Sequence, residues 1–203
     1  MIILGIDPGY AIVGYGVIEK NDRGQVRVVD YGAINTPKEQ KFPIRLTIIQ
    51  DSLNALIDKY KPDAIAIEEL FFNQNITTGI AVAEARGVIL CTAAKRVEKL
   101  YEFTPMEIKL SITGFGKADK KQMQYMTRTI LGLKSDPKPD DAADALAVAL
   151  CLAQTNMTLS SPSVEVFTNN NLKKKDINEV IKRKIGKWYI HLLEKFPLLM
   201  KIR

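Results

Sequence analysis

The sequence predicts an α/β fold: a mixed five-stranded sheet whose first three strands form an antiparallel meander, with helices on both faces. Three observations predict it. The first 35 residues hold three strand-like runs separated by Asp7-Pro8-Gly9 and Asn21-Asp22-Arg23-Gly24, both strong turn signals. Beyond them, helical-period segments alternate with short apolar runs. One of those runs, Ala64 to Leu70, is almost continuously apolar before its carboxylates, as expected of a strand covered on both faces.

In chain order, Met1 to Asp7, Ala11 to Glu19 and Gln25 to Asn35 read as the three meander strands. Pro43 to Tyr60 has apolar residues at 46, 49, 53, 56 and 57, a helical period, and Lys61-Pro62-Asp63 stops it. Ala64 to Leu70 is the fourth strand. Thr77 to Val97 is a long helix rich in Ala and Gly, and Leu100 to Thr104 the fifth strand. Ile108 to Thr113, Lys120 to Leu131 and Asp141 to Gln154 read as helices. These elements make one domain over residues 1–155. Residues 156–175, within a stretch rich in Ser, Thr, Asn and Pro, read as a polar linker. Residues 176–203 read as a basic, amphipathic extension: apolar residues fall at 177, 181, 185, 188 and 192, and Asp176 with Glu179 has capping-box spacing.

Composition narrows the chemistry. No apolar run is long enough to span a bilayer, and the N-terminus lacks the basic region of a signal peptide, so a cytoplasmic, non-membrane protein is expected. Cys91 and Cys151 sit in apolar helical stretches and read as small buried hydrophobes, which fits a reducing compartment. With His191 the only histidine, neither a Ser-His-Asp triad nor a zinc cluster is expected. A catalytic metal must then be held by oxygen, which points to magnesium or manganese. The net charge of +6 is uneven: residues 168–203 hold ten Lys/Arg and three Asp/Glu, leaving residues 1–167 near neutral. Basicity alone is therefore a poor argument for DNA binding by the core.

The carboxylates are placed more tellingly. Asp7 ends the first strand, Glu68 and Glu69 end the fourth, and Asp141 and Asp144 open the last helix three residues apart, on one face. Two strand ends and a helix start can converge at the carboxyl edge of a sheet, where ligands bind in such folds. Clustered carboxylates repel, and divalent cations reverse that cost. Two such cations could clamp a phosphodiester, activate water and stabilise the leaving oxygen. Other readings exist: Asp140 and Asp141 as helix-start residues, Asp7 as a turn residue. Strand alternation lets only one of Glu68 and Glu69 join Asp7 easily, and spacing does not say which. Phe71 and Phe72 follow that strand, either as core or as exposed aromatics that stack on an unpaired base. Lys109, Lys117, Lys120 and Lys121 lie in a basic stretch around Gly114 and Gly116; a solvated helix face explains most such charges, but the glycines permit close approach to phosphate.

Four ordered motifs resemble those of the RuvC family of Holliday-junction resolvases. They are Gly5-Ile-Asp-Pro-Gly9 with Gly14-Tyr-Gly16, Ala66-Ile-Glu-Glu-Leu-Phe71, Gly114-Phe-Gly116 with Ala118-Asp-Lys120, and Asp141-Ala-Ala-Asp-Ala-Leu-Ala147. The likeness spans roughly residues 1 to 155 and gives no account of the chain after about 160. It implies an RNase H-like fold and a magnesium-dependent endonuclease, with manganese able to substitute and two ions per site. The substrate implied is four-way DNA, cut by paired symmetric nicks in recombination and repair. By this resemblance Asp7, Glu68, Asp141 and Asp144 match the metal-binding carboxylates, and Glu69 and Asp140 lie outside that set. Phe71 matches a base-contacting aromatic, and Lys109 and Lys120 match lysines of phosphate contact and catalysis. A homodimer supplies the two active sites that paired nicks need. On resemblance and on its small residues Gly79, Ala83, Ala85 and Gly87, the helix from Thr77 is expected at the dimer interface. A branch-migration complex is the further implied partner. Other functions compatible with the pattern are a different RNase H-like nuclease and a non-catalytic junction binder. A sugar-kinase or actin-like phosphotransferase is more distant, although Asp30-Tyr31-Gly32 offers a second Asp-x-Gly.

Overall fold

Alternation along the strands builds this fold. In the computed structural model, which describes residues 1–70 and 76–155, five strands pair in the order β3-β2-β1-β4-β5. They are β1 (Ile2–Asp7), β2 (Ile12–Lys20), β3 (Val26–Asn35), β4 (Ala64–Glu68) and β5 (Leu100–Phe103). The β1–β2 and β2–β3 pairs are antiparallel, and the β1–β4 and β4–β5 pairs are parallel. This is the RNase H-like mixed sheet with a meander start.

The helices are α1 (Phe42–Tyr60), α2 (Ile76–Arg96), α3 (Pro105–Thr113), α4 (Lys120–Ile130) and α5 (Asp140–Gln154). Strand residues alternate between two apolar layers. Leu4, Ile6, Val17, Ile65 and Ile67 pack with Ile49, Leu53 and Ile57 of α1 and Ile89 of α2. Ile3, Ile18, Ala64 and Ala66 face the other way, against α5, α3 and α4. The α5 face uses small residues because that helix lies directly on the sheet. A Cβ on Gly5 would meet the backbone of Ala145 and Ala149, and one on Gly14 the backbone of Asp141. Helix α5 is correspondingly buried throughout from Ala145 to Ala153.

Two helix starts sharpen the sequence reading. Helix α3 begins at Pro105 rather than Ile108, because Thr104 and Glu107 form a capping box: the Glu107 N–H donates to Thr104 Oγ1 (3.2 Å), and the Thr104 N–H donates to Glu107 Oε2 (2.8 Å). Asp119 and Gln122 cap α4 reciprocally at 2.9 Å each. Two expectations on α2 need correction. Ala85 is fully buried on the core side of its own chain, so it is not one of the small residues a dimer interface could use. Cys91 is exposed rather than buried, because it lies on the face carrying Ile80, Glu84 and Gly87, while Cys151 is buried as expected. Asp30, the second Asp-x-Gly aspartate, lies within β3 and is held by Tyr60 and Lys59. The expected linker at 156–175 and extension at 176–203 lie outside the described residues. Among the described residues no helix is long and apolar enough to cross a membrane.

Candidate active site

Strand parity brings the acids together. Ile3, Gly5 and Asp7 share one side of β1, and Ala64, Ala66 and Glu68 share the same side of β4. The parallel register sets Ile6 beside Ile67, so the two carboxylates end neighbouring strands side by side. Helix α5 lies across that face and adds Asp144 one turn into the helix. The three carboxylates line an open cavity of about 230 Å³ together with Lys109 from α3 and Lys120 from α4. Ile108, Met123 and Ala147 form its apolar wall.

The electrostatics are those of crowded, half-dry acids. Burial, then repulsion from Glu68, Asp144 and Asp141, pushes the Asp7 carboxyl up to about 8. Burial and repulsion from Asp144 push Glu68 up to about 7, with Lys109 opposing. Burial also raises Asp144, against the pull of Lys120. The Lys120 ammonium stands 3.4 Å from Asp144 and 3.5 Å from Asp140. Burial works against its charge, yet those two acids outweigh it and hold its pKa above the usual lysine value.

The two capping boxes aim the lysines. Thr104 and Glu107 fix the start of α3 straight after β5, which sets Lys109 two residues on. Asp119 caps α4 so that Lys120 is its first residue. Neither cap was read from the sequence as a site determinant, although Thr-x-x-Glu and Asp-x-x-Gln are visible spacings. Asp141 faces Asp7 closely enough to repel it but does not line the cavity. Glu69 and Asp140 do not line it either. Glu69 acts on Arg86 of α2; Asp140 takes Lys138 at 3.1 Å as well as Lys120. Lys117 and Lys121 are exposed and outside the cavity. Phe71 lies outside the described residues.

As placed, no group of three acidic, histidine or cysteine side chains among the described residues is drawn together closely enough to hold a cation. The donor chemistry nonetheless fits a hard divalent ion: the ligands on offer are carboxylate oxygens, and burial leaves them short of counter-charge.

The family model for crossover junction endodeoxyribonuclease RuvC matches residues 3–152. The chain belongs to the RuvC family. A relative from Alkaliphilus metalliredigens, named crossover junction endodeoxyribonuclease RuvC, is 52% identical over 155 residues, which cover 76% of this chain and 94% of that one. Among solved structures, Thermus thermophilus RuvC has a TM-score of 0.72 at 31% identity, covering 82% of this chain and 99% of that one. The T. thermophilus RuvC complex with a Holliday junction substrate has a TM-score of 0.74 at 30% identity, with the same coverages. The family match at residues 3–152 takes in all five strands and reaches into α5, and so touches every element that builds the cavity.

Proposed function

We infer that this chain is a structure-selective endodeoxyribonuclease that resolves four-way DNA junctions in recombination and repair, hydrolysing phosphodiesters by paired symmetric nicks. The observation that carries this is the convergence of Asp7, Glu68 and Asp144 with Lys109 and Lys120 in one open cavity, in a member of the RuvC family.

Asp7, Glu68 and Asp144, with Asp141 beside them, would hold magnesium, or manganese in its place, at two ions per site. Bound there, such a metal would supply activation of water and stabilisation of the leaving oxygen. The carboxylates also repel phosphate from the metal-free site, so productive binding depends on counter-charge there. Lys109 binds a phosphate oxygen at the wall of the cavity. Lys120, tethered to Asp144 and Asp140 and so fully charged, stabilises negative charge that grows on the scissile phosphate. Lys117 and Lys121 hold flanking phosphates, and Phe71 stacks on a base at the opened junction centre.

Paired nicks need two sites, and a two-fold homodimer supplies them. The exposed side of α2, with Ile80 at 56% exposure and open space beside Gly87, supports that helix as the interface. Family membership supports a branch-migration complex as partner. The basic excess of residues 168–203 supports a DNA-holding role for the extension.

The test is to incubate the full chain with an end-labelled four-way junction and magnesium and to map the nicks, with linear duplex of the same sequence as control. Two symmetric nicks on the junction, none on the duplex, and no product in excess chelator are expected. Equal cutting of duplex makes this a different RNase H-like nuclease, and tight junction binding without product makes it a non-catalytic binder.

A further inference from the structure

A second concavity lies on the α3–α4 hairpin, outside the carboxylate cavity. It encloses about 260 Å³ and is lined by Thr113, Phe115, Ala118, Gln122, Tyr125 and Met126. Its two aromatic rings face solvent, Phe115 at 56% and Tyr125 at 57% exposure. The loop that presents Phe115 is firmly built. Gly114 takes the left-handed conformation (φ 72°) that ends α3, and its N–H donates to the Leu110 carbonyl. The Phe115 N–H donates to Thr113 Oγ1 (3.1 Å), and that hydroxyl lies 3.0 Å from the Phe115 carbonyl. The Ala118 N–H donates to the same carbonyl at 3.0 Å. An exposed phenyl ring on an ordered loop has already lost the backbone freedom that binding would otherwise cost.

The surroundings select the occupant. Residues 109–128 contain five basic side chains, Lys109, Lys117, Lys120, Lys121 and Arg128, and one acid, Asp119. That acid is engaged as the cap of α4. The Arg128 guanidinium lies 5.4 Å from the Tyr125 ring centroid and pairs with Asp136 at 3.3 Å. Lys109 and Lys120 line the carboxylate cavity, which leaves the exposed Lys117 and Lys121 next to the lining residues in sequence and Arg128 at the Tyr125 ring. Flat apolar rings with cations beside them match a polyanion that carries flat apolar faces, which is nucleic acid. The concavity shares one helix with the carboxylate cavity: Met123 of α4 lines the carboxylate cavity, while Gln122, Tyr125 and Met126 line this one.

We propose that Phe115 and Tyr125 form a second nucleobase platform, which stacks an unpaired base of the cleaved strand beside the nuclease site. An α-helix is about 10 Å wide and successive nucleotides of a stacked strand rise about 3.4 Å, more in an opened one, which places that base within about three nucleotides of the scissile phosphate. The platform rests on the junction-cleaving reading above and adds to it a base contact on the α3–α4 hairpin. Its consequence is that the enzyme grips the strand on the far side of α4 and sets the register of the cut.

The experiment uses the full chain and four-way junctions carrying 2-aminopurine at single positions one to four nucleotides from the mapped nick, with calcium in place of magnesium to hold the complex uncut. Stacking quenches this base. Quenching on binding is expected at one of these positions for the wild type and is lost in Phe115→Ala and Tyr125→Ala. Junction affinity falls about five- to 150-fold in each, the range for loss of one base–aromatic stack, and Phe115→Trp restores both signals. Both side chains are exposed, so the variants fold, which thermal melting verifies. Unchanged quenching and affinity in both alanine variants, with normal cleavage by the wild type, overturn the platform alone. A change in self-association by ultracentrifugation without change in DNA affinity also overturns it, and assigns the concavity to a protein contact. A wild type that neither binds nor cuts the junction overturns the nuclease reading and the platform with it.

Discussion

A Cβ placed on Gly14 would collide with the carbonyl oxygen of Asp141, the residue that begins the acidic face of α5. The missing side chain lets the helix lie on β2 and carry Asp144 over the ends of β1 and β4. Gly14→Ala must therefore push the start of α5 off the sheet. Overpacking of this kind costs about 1–3 kcal/mol, and a displacement of the acids proposed to be catalytic also lowers the rate. We expect a folded protein with a lowered melting temperature and at least about a tenfold loss of nicking, since 1.36 kcal/mol in the barrier is tenfold. Melting curves beside single-turnover cleavage rates check this.

The same contact explains what was legible in the sequence. The strand and helix order, the meander and the carboxylates at strand ends all follow from apolar patterning and turn residues, which are local. The choice between Glu68 and Glu69 is not local by spacing alone, yet a signal exists. Ala64 and Ala66 share parity with Glu68, as Gly5 does with Asp7, and only the face beneath a closely packed helix needs residues so small. Glu69 falls beyond β4, does not line the cavity and acts through its charge on Arg86 instead. The early start of α3 was missed because its apolar period begins at Ile108, while the capping box that fixes Pro105 is made of polar residues. The exposure of Cys91 was missed because α2 is apolar around most of its circumference, so composition does not say which side faces the sheet.

Arg86 of α2 pairs with Glu102 of β5, the two side chains only 18% and 14% exposed, and its Nε lies 3.4 Å from the carbonyl oxygen of Glu68. A pair so dry is weak evidence for stability, because its desolvation offsets its attraction. Its effect is positional: it ties α2 to the ends of β4 and β5. Arg86→Met or Glu102→Gln alone leaves a buried charge unpaired and costs about 3 kcal/mol. Arg86→Met combined with Glu102→Leu is expected to recover much of that stability in urea unfolding while nicking stays depressed. Recovery of both together would limit the pair to a structural role.

The crowded acids make the metal-free protein sensitive to alkali. Asp7 titrates at about 8 in the folded chain against 3.8 unperturbed, and Glu68 at about 7 against 4.5. The folded state therefore holds more protons than the unfolded one between roughly pH 4 and 8. Stability from these groups is complete below pH 4 and is lost as pH rises through 7 and 8, by several kcal/mol in all, since one pKa unit is worth about 1.36 kcal/mol. In chelator, the melting temperature should fall between pH 5 and 9, and added magnesium should restore it most at the alkaline end. Asp7→Asn should flatten the slope. A metal-free melting temperature constant over that range would show that water or counter-ions already relieve the crowding.

Binding and chemistry should separate at the carboxylates. Asp7, Glu68, Asp141 and Asp144 are proposed to hold metal at the scissile phosphate, whereas DNA affinity is proposed to rest on lysines, aromatics and dimer shape. Removing one negative charge should then cripple cleavage while leaving junction affinity intact or improved, because repulsion of the phosphate falls. Asp→Asn and Glu→Gln keep side-chain volume, so the fold should persist, and for Asp7 it should gain stability at neutral pH as argued above. The loss should reach several kcal/mol in barrier, or at least about a thousandfold in rate. Glu69→Gln and Asp140→Asn are the internal controls. Neither side chain lines the cavity, so both should keep much of their activity, with Asp140→Asn showing some loss because Lys120 leans on it as well as on Asp144. Rates by single-turnover cleavage, affinities by gel shift in calcium and melting curves give the three readouts needed. Four folded, binding-competent variants that cut at near wild-type rate would make these carboxylates structural, and the metal-dependent mechanism would fall with them.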